Sequence, residues 1–294
     1  MHYTGTIWRP PYEAWSALIQ VTMGCTHHKC KFCTLYEDLP FKFKISPQNE
    51  IESDLREMSN YMPDARRIFL VGANPFALSA EKLRCIAALA KQYFQKLDNI
   101  GCFSRITDIT AKTDKELKEL RSCGYNRITI GVESGDDNAL QFMNKGYISS
   151  DIIKQCKRLE NAGIEYNIFY LTGISGKGNG TKGAEISAEV FNRLNPKIIG
   201  CSMLTVYKNS ELYSEIQNGN WHEESETEKI AELKTLINAL TIKTHFAALG
   251  ASNMINIQGS LPADKNKLTE ALDKLLSSFS EEEMKSYRDN LPHL

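Results

Sequence analysis

Three cysteines lie within nine residues: Cys25, Cys30 and Cys33, in the segment Gly24-Cys25-Thr26-His27-His28-Lys29-Cys30-Lys31-Phe32-Cys33. Thiolates are soft ligands that suit iron–sulfur clusters or zinc. Three on one loop can hold three corners of a [4Fe–4S] cube and leave its fourth iron open to another ligand. Zinc takes four protein ligands, or three and a water, and His27 and His28 stand ready to complete such a set. The spacing alone leaves both metals open. The other five cysteines (Cys85, Cys102, Cys123, Cys156 and Cys201) are scattered and read as small apolar residues. A disulfide-bonded secreted scaffold would be shorter and richer in cysteine.

The elements that must position this loop repeat in a βα order from about residue 16 to 206. Apolar runs at Ala17–Thr22, Arg67–Gly72, Ile100–Ser104, Arg127–Val132, Tyr166–Thr172 and Ile198–Val206 read as strands. Helical spacing falls between them, at Gln48–Tyr61, Ala80–Phe94, Asp114–Cys123, Asp151–Ala162 and Ala184–Leu194. Thr113 with Glu116 forms a capping box, and Gly124 follows the helix that it opens. Parallel strands need crossovers, so this order predicts an α/β fold: a partial (β/α)6 parallel barrel with a C-terminal helical extension. The predicted division is residues 1–206 for the barrel core, with the cysteine loop at 24–36, and 207–294 for the extension. In that extension Glu223–Ala248 and Lys267–Ser277 read as helices, and Gly250 to Lys265 as a loop.

In such folds the site forms at the carboxyl ends of the strands. Those ends carry Gly72-Ala73-Asn74, then Ser104-Arg105, then Glu133-Ser134. Arg105 suits a carboxylate, and Glu133 or Ser134 suits sugar hydroxyls. Ser134 equally suits a helix N-cap. Asn167, polar inside an apolar strand, is a candidate for the pocket wall, as Tyr170 is nearby. The stretch Gly173–Gly183 lacks the P-loop order and reads as a glycine-rich lid.

The net charge of −1 over 294 residues provides no bulk attraction to nucleic acid or anionic lipid. No apolar run reaches the ~18–20 residues of a membrane span, and residues 1–12 lack signal-peptide order. These features predict a cytoplasmic protein with no membrane partner.

The cysteine loop resembles the cluster-binding CxxxCxxC loop of the radical S-adenosylmethionine (SAM) superfamily, with one more residue in the first gap. Gly131-Val132-Glu133-Ser134-Gly135 followed by Asn144-Lys145-Gly146 resembles a stretch shared by oxygen-independent coproporphyrinogen oxidases, methylthiotransferases and the elongator group. Leu204–Tyr213 is similar to that group's next strand and turn but lacks its prolines. The tail around Ser252-Asn253 and Gly259–Lys265 resembles a short branch of the same superfamily.

The resemblance implies a [4Fe–4S] cluster on Cys25, Cys30 and Cys33, and SAM as second cofactor. It places Phe32 against the adenine, Gly72, Ala73 and Asn74 at the amino group, and Glu133 and Ser134 at the ribose. The acidic residue frequent at the position of Asn74 is missing. The implied activity is an oxidoreductase-type radical reaction on a small-molecule substrate, fed by an electron donor such as flavodoxin or ferredoxin. A tRNA-modifying enzyme of the same class and a non-radical zinc protein are the alternatives. Cys201 is weighed as a hydrogen donor and reads better as structural.

Overall fold

The computed structural model describes residues 1–291. In chain order the elements are β1 (Ala17–Gln20), β2 (Thr22–Gly24), β3 (Phe43–Ile45), α1 (Gln48–Tyr61), β4 (Arg67–Val71), α2 (Ala80–Tyr93), β5 (Asn99–Ser104), α3 (Ile106–Thr110), α4 (Asp114–Ser122) and β6 (Ile128–Glu133). There follow α5 (Asp137–Phe142), α6 (Ser149–Asn161), β7 (Tyr166–Thr172), α7 (Gly180–Phe191), β8 (Ile198–Met203), α8 (Glu211–Gln217), α9 (Glu226–Ala239), β9 (Thr244–Ala248), β10 (Ile257–Leu261), α10 (Lys265–Ser278) and α11 (Glu281–Asp289). The chain forms two compact units. The first is residues 1–28, 35–131 and 155–166; the second, among the described residues, is 29–34, 132–154 and 167–291.

In the first unit β1, β4, β5 and β6 pair in parallel, with Ala17 opposite Ile68, Arg67 opposite Asn99, and Phe103 opposite Thr129. Their runs are continuously apolar because both faces are covered: Ile68, Phe69, Leu70 and Val71 are all fully buried. The capping box is present, with the Thr113 hydroxyl accepting from the Glu116 amide and the Glu116 carboxylate accepting from the Thr113 amide. Gly124, at φ +107°, turns the chain out of α4. The short β2 and β3 pair antiparallel, Thr22 opposite Ile45, and bracket the cysteine loop.

In the second unit β7 and β8 pair in parallel, Asn167 opposite Ile198, and β8 pairs in parallel with β9. β10 then adds antiparallel to β9, with Ile257 opposite Ala248. All six strands read from the sequence are present, and the fold is the expected α/β type with a largely parallel sheet. The C-terminal region is mostly helical, as expected, yet it also provides β9 and β10. Leu240, extended at ψ 128°, ends α9 and frees Thr244–Ala248 to pair with β8. β10 alternates buried Ile257, Gly259 and Leu261 with exposed Gln258 and Ser260, as a strand with one covered face does.

The glycine-rich stretch is pinned, not open. The fully buried Glu232 of α9 accepts from the Gly173 amide (2.6 Å) and the Tyr170 hydroxyl (2.5 Å). Gly178 donates to Glu228 (3.0 Å) and Lys177 to the His222 carbonyl (2.9 Å). Helix α7 already begins at Gly180, four residues before the expected start. Glu224, almost fully buried, stands beside Glu232. Burial pushes the carboxyl of Glu232 well above its usual value and that of Glu224 up to about 7, so the pair resists ionisation.

Candidate functional site

The cysteine loop leaves β2 at Gly24, and the Cys25 amide donates to the Lys42 carbonyl (2.8 Å), which fixes the start of the loop. Cys30 and Cys33 belong to the second unit, where the Cys33 amide donates to the Cys30 carbonyl (3.0 Å). This short segment docks through its main chain: Lys31 donates to the Met143 carbonyl (3.2 Å), and its own carbonyl accepts from Leu212 (2.8 Å). The Lys31 ammonium pairs with Glu215 and lies 4.4 Å from the Phe142 ring centre. Phe32 packs on an apolar cluster that includes Leu171, Ile174, Leu204 and Trp221.

All three loop thiols are partly exposed, and none forms a disulfide. Cys102, Cys156 and Cys201 are buried, and burial pushes their thiols far up, away from the thiolate a metal needs. Three accessible thiols on one irregular loop are the donor set a [4Fe–4S] cluster requires. Among the described residues, no three His, Cys, Asp or Glu side chains are gathered in the arrangement of a bound ion. The match is therefore in donor chemistry and accessibility.

In the first unit, the end of β4 carries Gly72 at φ +120°. A Cβ there would fall 2.2 Å from Thr22 Oγ1 and 2.3 Å from the Thr22 carbonyl, so packing against β2 already demands glycine. Ala73 leads to Asn74, which is fully buried. The Asn74 amide nitrogen donates to Thr26 Oγ1 (2.6 Å) and to both carboxylate oxygens of Asp108 (3.1 Å each), while its oxygen accepts from the Thr26 amide (3.3 Å). At the end of β5 the Ser104 hydroxyl donates to the Arg105 carbonyl (2.9 Å). The Arg105 amide donates to Asp108 (2.8 Å), and its guanidinium to the Thr107 hydroxyl (2.9 Å). Burial raises the Asp108 carboxyl and lowers the Lys112 ammonium, while the charge of each partly restores the other. Thr26, Asn74 and Asp108 are thus drawn together, and Ser104 and Arg105 reach the same group through the Arg105 main chain.

In the second unit, Glu133 ends β6 at φ +67°, a left-handed conformation that a non-glycine residue adopts at a cost of order 1–3 kcal/mol. Such strain concentrates where a side chain or carbonyl must face a ligand. The Lys145 ammonium is 3.3 Å from the Glu133 carboxylate and 5.6 Å from the ring centres of both Phe32 and Tyr147. Lys145 therefore links the residue before the third cysteine to the end of β6. Ser134 is fully buried; its hydroxyl accepts from the Asp136 amide (3.0 Å) and lies 3.3 Å from Ser187 Oγ. The N-cap of α5 is Asp136, which accepts from the Asn138 amide, so Ser134 shapes the turn before it. Asn167 is buried within β7.

Sequence reading passed over Asp108 and Lys145. Lys145 stood inside the quoted Asn-Lys-Gly motif; Asp108 carried no local signal, since Asn74 is 34 positions away and its other partners lie in its own turn. Among the described residues no helix is long and apolar enough to cross a membrane.

Residues 19–178 match the radical SAM superfamily, a span that contains all three cysteines and the ends of β4, β5, β6 and β7. The chain is 23% identical over 202 residues to the heme chaperone HemW of Bacillus subtilis, covering 66% of this chain and 52% of that protein. In fold it is similar to coproporphyrinogen III oxidase (HemN) of Escherichia coli, with a TM-score of 0.58, 16% identity, and coverage of 76% of this chain and 51% of that one. It is equally similar to the archaeal Elp3 of Methanocaldococcus infernus, with a TM-score of 0.58, 15% identity, and coverage of 89% and 62%. The chain spans about half the length of that chaperone and that oxidase. The two cofactors expected from the sequence, a [4Fe–4S] cluster and SAM, are those of this superfamily. On the match over residues 19–178, the chain belongs to the radical SAM superfamily.

Proposed function

We propose that this chain is a radical SAM enzyme acting on a small-molecule substrate, with its cluster on Cys25, Cys30 and Cys33. The observation that carries this reading is the coincidence of three accessible thiols on one loop with a superfamily match that contains them. Bound there, the cluster and SAM supply a one-electron reductive cleavage that yields a 5′-deoxyadenosyl radical able to abstract a hydrogen atom. The chain's own residues orient the nucleoside and exclude water. Phe32 offers an apolar face to the adenine, and Lys145 restrains that ring. Glu133, held in a strained backbone and neutralised in part by Lys145, accepts from ribose hydroxyls, and Ser134 sets its turn. Gly72 and Ala73 present main chain to the amino group, joined by the main chain of Asn74. Arg105 and Ser104 receive the carboxylate. Asn167, buried in β7, is the remaining candidate contact.

An electron donor of the flavodoxin or ferredoxin type completes the system, in the cytoplasm. Near-neutral charge disfavours a nucleic-acid substrate. The test is anaerobic reconstitution followed by reductant and SAM. Absorbance near ~400 nm that Cys30→Ala abolishes, together with 5′-deoxyadenosine, supports the reading. A colourless, zinc-loaded chain refutes it.

A second reading is favoured by the sequence match to a heme chaperone: carriage of a tetrapyrrole in place of catalysis on it. Hemin binding with no 5′-deoxyadenosine formed, under the same conditions, would favour that reading.

A further inference from the structure

We propose that Asp108 is a positioning residue for the cluster loop, acting through Asn74. The proposal rests on the reading that Cys25 is a cluster ligand.

The geometry carries it. An asparagine side chain has two donor hydrogens and one acceptor oxygen. In Asn74 all are engaged: the amide nitrogen serves Thr26 Oγ1 and the Asp108 carboxylate, and the oxygen serves the Thr26 amide. A carboxylate only accepts, so Asp108 dictates which way the Asn74 amide faces. Nitrogen must point to Asp108, which leaves oxygen for the main chain of Thr26. Thr26 immediately follows Cys25, and the Cys25 amide is itself held by Lys42. The first ligand is thus gripped on both sides, by β3's approach and by the Asn74 amide.

Asp108 is held in turn. Its carboxylate accepts from the Arg105 amide (2.8 Å), and its own carbonyl accepts from the Lys112 ammonium (3.3 Å). Lys112 also donates to the carbonyl of Phe76, two residues beyond Asn74, and lies 4.4 Å from the Phe76 ring centre. Asn74 and Asp108 are 0% and 5% exposed, so water cannot stand in for a lost partner.

The arrangement also explains the missing acidic residue. An aspartate at position 74 would set two carboxylates about 3 Å apart in a buried site, where both cannot remain ionised. With an amide at position 74, the Asp108 carboxylate meets a donor instead of a second charge.

The experiment compares the full chain, reconstituted anaerobically, with Asn74→Asp, Asp108→Asn, the exchanged pair Asn74→Asp/Asp108→Asn, Thr26→Val and Cys25→Ala. Iron retained against a chelator and the EPR spectrum of the reduced cluster are read without SAM, with circular dichroism as the control for folding. Outer partners of metal ligands are typically worth about 10- to 100-fold in retention, so Asn74→Asp should release iron at least about tenfold faster and change the EPR line shape. The exchanged pair again offers one carboxylate to one amide and should recover most of the retention. Thr26→Val, at an exposed position that does not threaten folding, should shift the spectrum in the same direction as Asn74→Asp.

Wild-type spectra and retention in both Asn74→Asp and Thr26→Val would overturn the proposal. So would an exchanged pair no better than Asn74→Asp. If Cys25→Ala retains the full iron content, or the wild-type chain holds no cluster, the parent reading has failed as well. A cluster lost in Cys25→Ala but untouched in Asn74→Asp and Thr26→Val sinks the clamp alone.

Discussion

Replacing Glu224 by glutamine tests whether the glycine-rich stretch rests on carboxyls that stay protonated. An unfolded chain releases the Glu224 proton near 4.5, whereas the native chain keeps it to about 7. Between those values the native state holds more protons than the unfolded one, so stability falls as pH rises. The stabilisation is fully present below pH 4.5 and is lost towards 7. Each pH unit in that window costs about 1.4 kcal/mol per retained proton. From pH 5 to pH 7, with titration only partial at either end, the loss from Glu224 is therefore about 2.2 kcal/mol.

For a chain of this size that corresponds to roughly 5–10 °C in melting temperature. Glutamine keeps the shape and can hydrogen-bond to Glu232 while carrying no titrating proton. Melting followed by circular dichroism at half-unit steps from pH 5 to 7.5 should give a curve flatter than wild type by that amount. Glu223, Glu228 and Lys229 surround Glu224, and all three remain in the variant; because the Glu224 charge also helps to raise Glu232, the difference between the curves reports the pair. Parallel curves for the two proteins would refute the reasoning.

Further predictions follow from packing and exposure. Gly72→Ala places a Cβ against the main chain of Thr22 and should lower stability by more than ~2 kcal/mol, seen as a lower urea midpoint or as insoluble protein. Thr113→Ala removes one side of a capping box and should cost about 1 kcal/mol by the same assay. In the native apo chain, iodoacetamide followed by mass spectrometry should label Cys25, Cys30, Cys33, Cys123 and the exposed Cys85, and spare Cys102, Cys156 and Cys201. Reconstitution should then protect Cys25, Cys30 and Cys33 while leaving Cys85 reactive.

The six βα strands were legible because each is a continuous apolar run closed by a polar or glycine end, as at Arg67–Val71. The capping box at Thr113 and Glu116 was legible because helix caps are local chemistry. β9 was hidden because Thr244–Ala248 follows α9 without a turn residue, and its apolar run fits either period. β10 was hidden by Gly259, which lies in the strand interior because Asp264 leaves no room for a Cβ. The cysteine loop and the Glu133 turn were visible as motifs. The Thr26–Asn74–Asp108 group was not: it joins residues 34 and 48 positions apart, and only folding reveals that the Asn74 amide faces both.

The sorting of thiols by burial has a consequence for damage and repair. Air reaches the loop cysteines, Cys85 and Cys123, but the thiols of Cys102, Cys156 and Cys201 are shielded and held in their inert form. Oxidation therefore injures the chain at its periphery and spares the packed interior. A disulfide or sulfenate formed on the loop leaves the strands beneath it in place. Such a chain can be returned to service by a thiol reductant, iron and sulfide, with no passage through the unfolded state.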